Sequence, residues 1–307
     1  MQHTVKSPIE MSGIGLHSGK TVSLRILPAP ADYGVVFKRV DLADGTNIIP
    51  ATYDRVMDTR LCTLIANEFG AKVGTIEHLM AALRGCGIDN AMIELDAAEV
   101  PVMDGSSKQF IEAIDAVGVK AQSKPRRAIK ILKDITVKDG DKMVRLSPSN
   151  VPVYAGRIEF PHASIGAQEY SLKLVNGNFR HDVSDCRTFG FFKEAEMLRA
   201  AGLGLGGSLD NAIILNDEGV MNPDGLRCTD EFIRHKILDA VGDLALGGYI
   251  IGAYDGFKAG HALNNAVLHA LYADPAAWMP VDLYVEIDEA DTVVYGPESV
   301  PARAAAY

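Results

Sequence analysis

Residues 232–248, FIRHKILDAVGDLALGG, constrain the fold more than any other stretch. Read as a helix, Ile233, Ile237, Val241 and Leu244 recur at steps of four, four and three, one apolar stripe. His235, Asp239 and Asp243 recur every four residues and lie roughly 200° round the helix from that stripe. The plain account is a helix with an acidic outer face and an incidental His. A solvated face more often carries Lys and Glu, however. A His and two Asp stacked one turn apart can instead converge on a cation.

A second His lies in a similar setting. Residues 75–87, TIEHLMAALRGCG, also read as a helix, with Ile76, Leu79, Met80 and Leu83 as its apolar stripe. His78 follows Ile76 by two residues, as His235 follows Ile233. The two segments share the pattern I-x-H-(six residues)-G, with Gly85 and Gly242 in register. This weak internal repeat predicts two similar halves, each presenting one His to the other. His78, His235 and Asp239 would then supply two nitrogens and one carboxylate. That set suits Zn²⁺ with one position left for water.

Length and composition fit two soluble domains. A chain of 307 residues is long for one core. Apolar residues make up 48% and charged residues 23%, a globular balance. The net charge of -10 argues against nucleic acid or an anionic membrane surface as partner. No uncharged apolar run approaches the roughly 20 residues that span a bilayer. The four Cys show no C-x-x-C spacing, so no zinc knot or thioredoxin-type motif is present. The N-terminal residues lack an apolar signal core, and a reducing cytoplasm is the expectation. A small-molecule ligand and a monomer complete that expectation.

Taken in order, residues 21–26 and 34–40 alternate as strands, on either side of turns rich in Gly and Pro. His17 sits in the Gly-rich loop GIGLHSGK, where an exposed turn His is the simplest account. LCTLIA, after the polar Asp58-Thr59-Arg60, reads as a hairpin end. Thr75 is a candidate N-cap for the first helix. Glu77, in its first turn, suits the helix dipole. Beside a metal-ligating His it can also serve as a general base, although the H-E-x-x-H order is absent. Residues 106–118 read as a second helix, and KAQSKPRR, 120–127, as a linker. Strands joined by a turn at Asp139-Gly140 then open the second half.

Thr188 lies in a polar loop ahead of an amphipathic helix and needs no further role as a turn residue. Gly202, Gly204 and Gly207 form G-x-G-x-x-G, but a helix precedes them and a strand follows. A dinucleotide site needs the reverse order, so a surface of close approach is the better reading. Residues 249–273 read as a strand, a turn at Asp255-Gly256, and a last helix beginning at Gly260-His261. Asp243, one turn past Asp239, can hold an imidazole charged and oriented, and His261 is the candidate. A His packed at a helix start is the alternative.

The motifs GIGLHSGK, DTRLCT, TIEHLMAAL, GIDNAMIEL, PVMDGSS, RTFGF, LGLGGSLDNAI, LRCTDEFIRHKILDAVGDL and KAGHALNN resemble those of the UDP-3-O-acyl-N-acetylglucosamine deacetylases. These are zinc amidases of lipid A biosynthesis in Gram-negative bacteria. The resemblance runs from about residue 13 to 270. It implies an α+β fold of two similar α/β-sandwich domains, here 1–124 and 125–307, with the site at their junction. It implies zinc on His78, His235 and Asp239, with Glu77 as base and Thr188 assisting at the oxyanion. It also implies His261, paired with Asp243, as the acid for the leaving amine. Lys236 would lie near the sugar or its phosphates. An insert around 187–215 would form an apolar passage for the acyl chain, touched by Phe189, Phe191, Gly207, Ser208, Ala212 and Ile214. Leu16, His17 and Leu61 fall in motifs near the site, and Glu194 stands where a slightly shorter acid is expected. Two rivals remain open at this level. One is a metal-dependent hydrolase of another amide or nucleotide sugar, and the other a binding protein with a purely structural metal. Fe²⁺ also suits the ligand set.

Overall fold

The computed structural model describes residues 1–287 and 293–297, with side chains as far as Leu283. Two antiparallel hairpins come first. Ile9–Ile14 pairs with Thr21–Pro28, and Val35–Arg39 with Ile48–Pro50. Their alternation is that of half-buried strands: Val22, Leu24 and Ile26 point inward while Thr21, Ser23 and Arg25 face solvent. Helix α1 (Glu77–Gly85) follows. The next strand, Ala91–Leu95, enters between the hairpins, antiparallel to Thr21–Pro28 and parallel to Val35–Arg39. Helix α2 (Lys108–Val117) completes this half.

The second half repeats that order. Ile135–Asp139 pairs with Lys142–Ser147, and Val153–Glu159 with Ala167–Lys173. Two short helices, α3 (Asn178–Asp182) and α4 (Phe192–Ala200), precede α5 (Glu231–Ala245). Ala253–Phe257 then enters between the hairpins, antiparallel to one and parallel to the other, and α6 (His261–Tyr272) follows. The fold is α+β, with one topology used twice. Helix α5 is the counterpart of α1, so the two I-x-H segments lie on equivalent helices. Each half also carries a small three-stranded insertion ahead of its equivalent helix. Val56–Asp58, Leu64–Ala66 and Lys72–Val73 form the first; Phe189–Phe191, Ile213–Asn216 and Gly219–Val220 form the second.

The helices lie between the two five-stranded sheets. Ile233, Ile237, Val241 and Leu244 of α5 are buried on the second sheet, each contributing about 1.5–3 kcal/mol by burial. Gly156 makes room for them, since a Cβ there would lie 3.1 Å from Ile237 Cδ1. The opposite face of α5 is buried too, against α1. At the crossing, a Cβ on Gly242 would stand 2.0 Å from the carbonyl oxygen of Glu77. Gly85, its partner in the repeat, is likewise a close-approach position, here to the ring of Phe179.

Four local readings change. Residues 120–127 are not a free linker: Val119–Ala121 pairs with His3–Val5, and Arg126–Ile131 is a strand of a second-half sheet. The chain between them is held because Gln2 exchanges backbone bonds with Gln122 and Lys124, and Arg126 finds Asp89 at 2.7 Å. The hairpin turn falls on Gly140-Asp141, not Asp139-Gly140, because Asp139 pairs directly with Lys142. Asp255-Gly256 is strand, not turn: Asp255 is opposite Arg145 and pairs with it at 3.3 Å. The break falls instead at Gly252, where the chain leaves one sheet for another and a Cβ would meet Ile131. Thr75 does not cap α1; its hydroxyl is used on Glu99 at 3.0 Å.

Gly242→Ala should therefore cost roughly 1–3 kcal/mol in denaturant unfolding, because the helices must separate. Gly190→Ala, with nothing within 4 Å of the added carbon, is the control and should stay near wild type.

Candidate metal centre and its surroundings

The crossing of α1 and α5 brings together residues 157 positions apart in sequence, His78 and His235. Their rings lie 5.0 Å apart and nearly perpendicular. Nε2 of His78 is 3.6 Å, and Nε2 of His235 3.3 Å, from Oδ1 of Asp239. Ligands at zinc's usual bond lengths of about 2.0–2.1 Å sit about 3.3 Å apart on a tetrahedron. The three groups therefore fit a cation between them. The chemistry of the set agrees. Oδ1 of Asp239 is buried with no hydrogen-bond partner, while Oδ2 accepts from Lys236 Nζ at 3.0 Å. Nδ1 of His235 faces the carbonyl of Cys186 at 3.0 Å, which directs the Nε2 lone pair to the cluster. Burial pushes the His235 pKa down to about 3, so the ring is neutral, the form that ligates. Burial opposes charge on Asp239, but the Lys236 ammonium and the hydrogen-bonding imidazoles around it outweigh burial and hold the carboxyl well below its ordinary range. Burial likewise opposes charge on Lys236, and Asp239 more than restores it.

Glu77 and His261 flank the cluster. Glu77 is buried at the start of α1, and desolvation raises its pKa above that of a free carboxyl. His261 opens α6 with Nε2 3.9 Å from Glu77 Oε1 and Nδ1 2.8 Å from Asp243 Oδ2. Burial would discharge this ring, but Asp243 overrides it and the pKa is pushed up to about 10. A proton acceptor and a charged donor thus stand beside one candidate metal position.

The other named residues divide. Phe189 reaches the cluster: its ring lies 6.4 Å from His235 and packs on Phe232 at 5.0 Å. Phe191 lies farther out, with Phe160 and His162. Thr188 is fixed through its backbone, donating to Gly105 and accepting from Ile213. Ala212 is buried and Ile214 half-buried behind it, with Gly207 and Ser208 in the loop before. That loop seats on the GIGLHSGK turn. Leu205 and Gly206 donate backbone N–H groups to the carbonyls of His17 and Leu16. A Cβ on Gly206 would stand 2.3 Å from the carbonyl oxygen of Gly15. Gly206 thus admits the backbone of that turn. The helix before this loop, α4, has no fully buried residue; Phe192, Ala195 and Leu198 form its half-buried face. His17 and Leu61 line a cavity of about 650 Å³ with Lys20, Cys62, Thr75 and Glu99. His17 is not an exposed turn residue, since both its ring nitrogens are buried.

Several contributors were not readable beforehand. Thr63 donates its hydroxyl to Asp243 Oδ1 at 2.5 Å and its N–H to Glu77 Oε2 at 3.0 Å. Asn264 donates to Asp243 Oδ2 at 2.8 Å. Glu99 accepts from the N–H groups of His17 and Ser18 and from the Thr75 hydroxyl. Glu231, fully buried, accepts from the backbone of Arg187 and Arg227 and from the Arg187 guanidinium. That bond ties the 186–188 loop to the start of α5. All four lie within or beside quoted motifs, but nothing in a motif says which way an uncharged side chain or a cap-like Glu points.

Fold and site together define an α+β protein of two like halves with a candidate metal centre where their equivalent helices cross. The family model of the UDP-3-O-acyl N-acetylglycosamine deacetylases matches residues 2–273. The UDP-3-O-acyl-N-acetylglucosamine deacetylase of Xanthomonas axonopodis pv. citri (strain 306) is 50% identical over 280 residues, 90% of this chain and 92% of the relative. That of Shewanella frigidimarina (strain NCIMB 400) is 46% identical over 290 residues, 94% of each chain. The chain belongs to this deacetylase family. No helix among the described residues is long and apolar enough to cross a membrane.

Glu231→Ala should leave the buried Arg187 guanidinium without its carboxylate partner and cost about 3–5 kcal/mol in denaturant unfolding. Glu218→Ala, at an exposed site, should change it by less than about 0.5 kcal/mol.

Proposed function

We propose that the protein hydrolyses the N-acetyl amide of UDP-3-O-acyl-N-acetylglucosamine, releasing acetate and the free amine, with Zn²⁺ on His78, His235 and Asp239. The observation that carries this reading is the convergence of those three side chains beside Glu77 and His261 in a chain of the deacetylase family. A cation held by these residues would supply Lewis acidity there, making water acidic near neutral pH and polarising the acetyl carbonyl.

The remaining work falls to the chain's own groups. Glu77 takes the proton from the attacking water, a task its raised proton affinity suits. The hydroxyl of Thr188 donates to the oxygen on which charge develops. His261 faces that charge as an imidazolium, then gives its Nε2 proton to the departing amine, while Asp243 on Nδ1 holds the ring in place. Lys236 keeps Asp239 ionised and turns its charge toward the sugar or its phosphates. Phe189 and Phe191, with Gly207, Ser208, Ala212 and Ile214, line the way for the acyl chain, and Leu16, His17 and Leu61 border it from the first half. The two halves divide at 124/125 as domains, and the enzyme works as a soluble monomer in the cytoplasm.

The test measures acetate release from the acylated UDP-sugar, and from its counterpart lacking the acyl chain, alongside metal content. Chelation should abolish turnover and Zn²⁺ restore it. Glu77→Ala and His261→Ala should lose about 10²- to 10⁴-fold in turnover while keeping the metal. His78→Ala should lose the metal as well. Near-normal turnover by Glu77→Ala, or by the chelated protein, would overturn the assignment.

A further inference from the structure

We propose that Thr63 is a positioning residue that sets the base and the acid of this site in register with each other. The proposal rests on the roles just given to Glu77 and His261. Thr63 is 1% exposed and follows Cys62 in the insertion ahead of α1. Its two donors go to two different carboxylates. The backbone N–H binds Glu77 Oε2 at 3.0 Å, which leaves Oε1 as the oxygen nearest His261. The hydroxyl binds Asp243 Oδ1 at 2.5 Å, which leaves Oδ2 for His261 and Asn264.

The pattern crosses the junction. Glu77 belongs to the first half of the chain, and Asp243, His261 and Asn264 to the second. Among the described residues, Thr63 is the side chain that joins Asp243 to the first half by a hydrogen bond. Asp243 is held on its own side by Asn264, which Tyr254 anchors in turn at 2.7 Å. Without the Thr63 hydroxyl, Oδ1 would be a buried acceptor with no donor, and the carboxylate could turn about its own axis. His261 would turn with it. The spacing between proton acceptor and proton donor would then no longer be fixed, although neither group had been altered.

Thr63→Val separates the two links, because it replaces the hydroxyl by a methyl of similar shape and keeps the backbone N–H to Glu77. In the zinc-loaded full chain, kcat on the acylated UDP-sugar should fall about 10- to 100-fold, with KM within about threefold of wild type. Thr63→Ser restores the hydroxyl and should recover kcat to within about threefold. Metal content and melting temperature, measured on all three proteins, show that each variant is folded and loaded. In parallel, ¹⁵N-edited NMR follows the His261 imidazole N–H, assigned by its loss in His261→Gln. It should be protected from exchange in wild type and Thr63→Ser, and should exchange faster in Thr63→Val. A Thr63→Val kcat within about threefold of wild type would overturn the proposal. So would equal losses in Thr63→Val and Thr63→Ser, or a change confined to KM. If wild-type protein released no acetate, the proposed reaction would fail by itself. The NMR comparison would still decide Thr63, with an unchanged exchange rate counting against it.

Discussion

The structure depends on how closely α1 and α5 cross. Two helices that carry ordinary side chains at their contact stay about 8–10 Å apart, and ligands on them meet only through long side chains. Gly242 removes that limit, because the backbone of Glu77 occupies the space a methyl group would need. Histidine and aspartate are short. They reach a common point between the halves only because the main chains already lie close together. The site is therefore a property of the helix contact, and the two sheets outside it serve to press the helices together.

Burial sets the chemistry at that contact. The same desolvation acts on every group, yet it moves them in different directions according to their partners. Glu77, desolvated and near the carboxylates of Asp243 and Asp239, gains affinity for a proton despite two imidazoles nearby. His235, where burial outweighs the pull of Asp239 and the Cys186 carbonyl, loses its charge. His261, at 2.8 Å from a carboxylate that is itself held by Thr63 and Asn264, keeps its charge. One dry junction thus contains a proton-avid carboxyl, a neutral imidazole and a charged imidazole at the same pH.

Much of this was legible in the sequence, and the legible part has a common cause. The repeat I-x-H-(six)-G could be read because helical periodicity places Ile and His at fixed angles, and the equivalent helices α1 and α5 obey it. The His78–His235–Asp239 grouping followed from the same spacing. What could not be read depends on where backbone groups go. Thr75 looked like a cap, but Glu99 took its hydroxyl.

 Glu99 holds that hydroxyl at 3.0 Å and takes two N–H groups of the 17–18 turn as well. Residues 120–127 looked like a solvated linker because they are basic and contain Pro125. Their backbone instead pairs with Gln2, and Arg126 with Asp89. Asp255-Gly256 had the composition of a turn, but lies opposite Arg145 and Val144 in a sheet built from distant strands. Thr63 closes the motif DTRLCT but gave no signal of its role, since an uncharged residue in a short insertion carries no periodicity. In each case a long-range partner decided the outcome, and local pattern does not contain it.

The seat of the second-half loop on the first-half turn has a consequence of its own. Leu205 and Gly206 grip His17 and Leu16 through main-chain amides and carbonyls, and the approach needs only that Gly206 and Gly19 lack side chains. A latch made of peptide groups is indifferent to most of the residues that carry it. Leu16, His17, Leu203 and Leu205 can therefore change in size or polarity and still leave the rim of the cleft closed in the same place. The lining of the cavity is in this way uncoupled from the clasp that shapes it, so its contents can be retuned while its outline is kept.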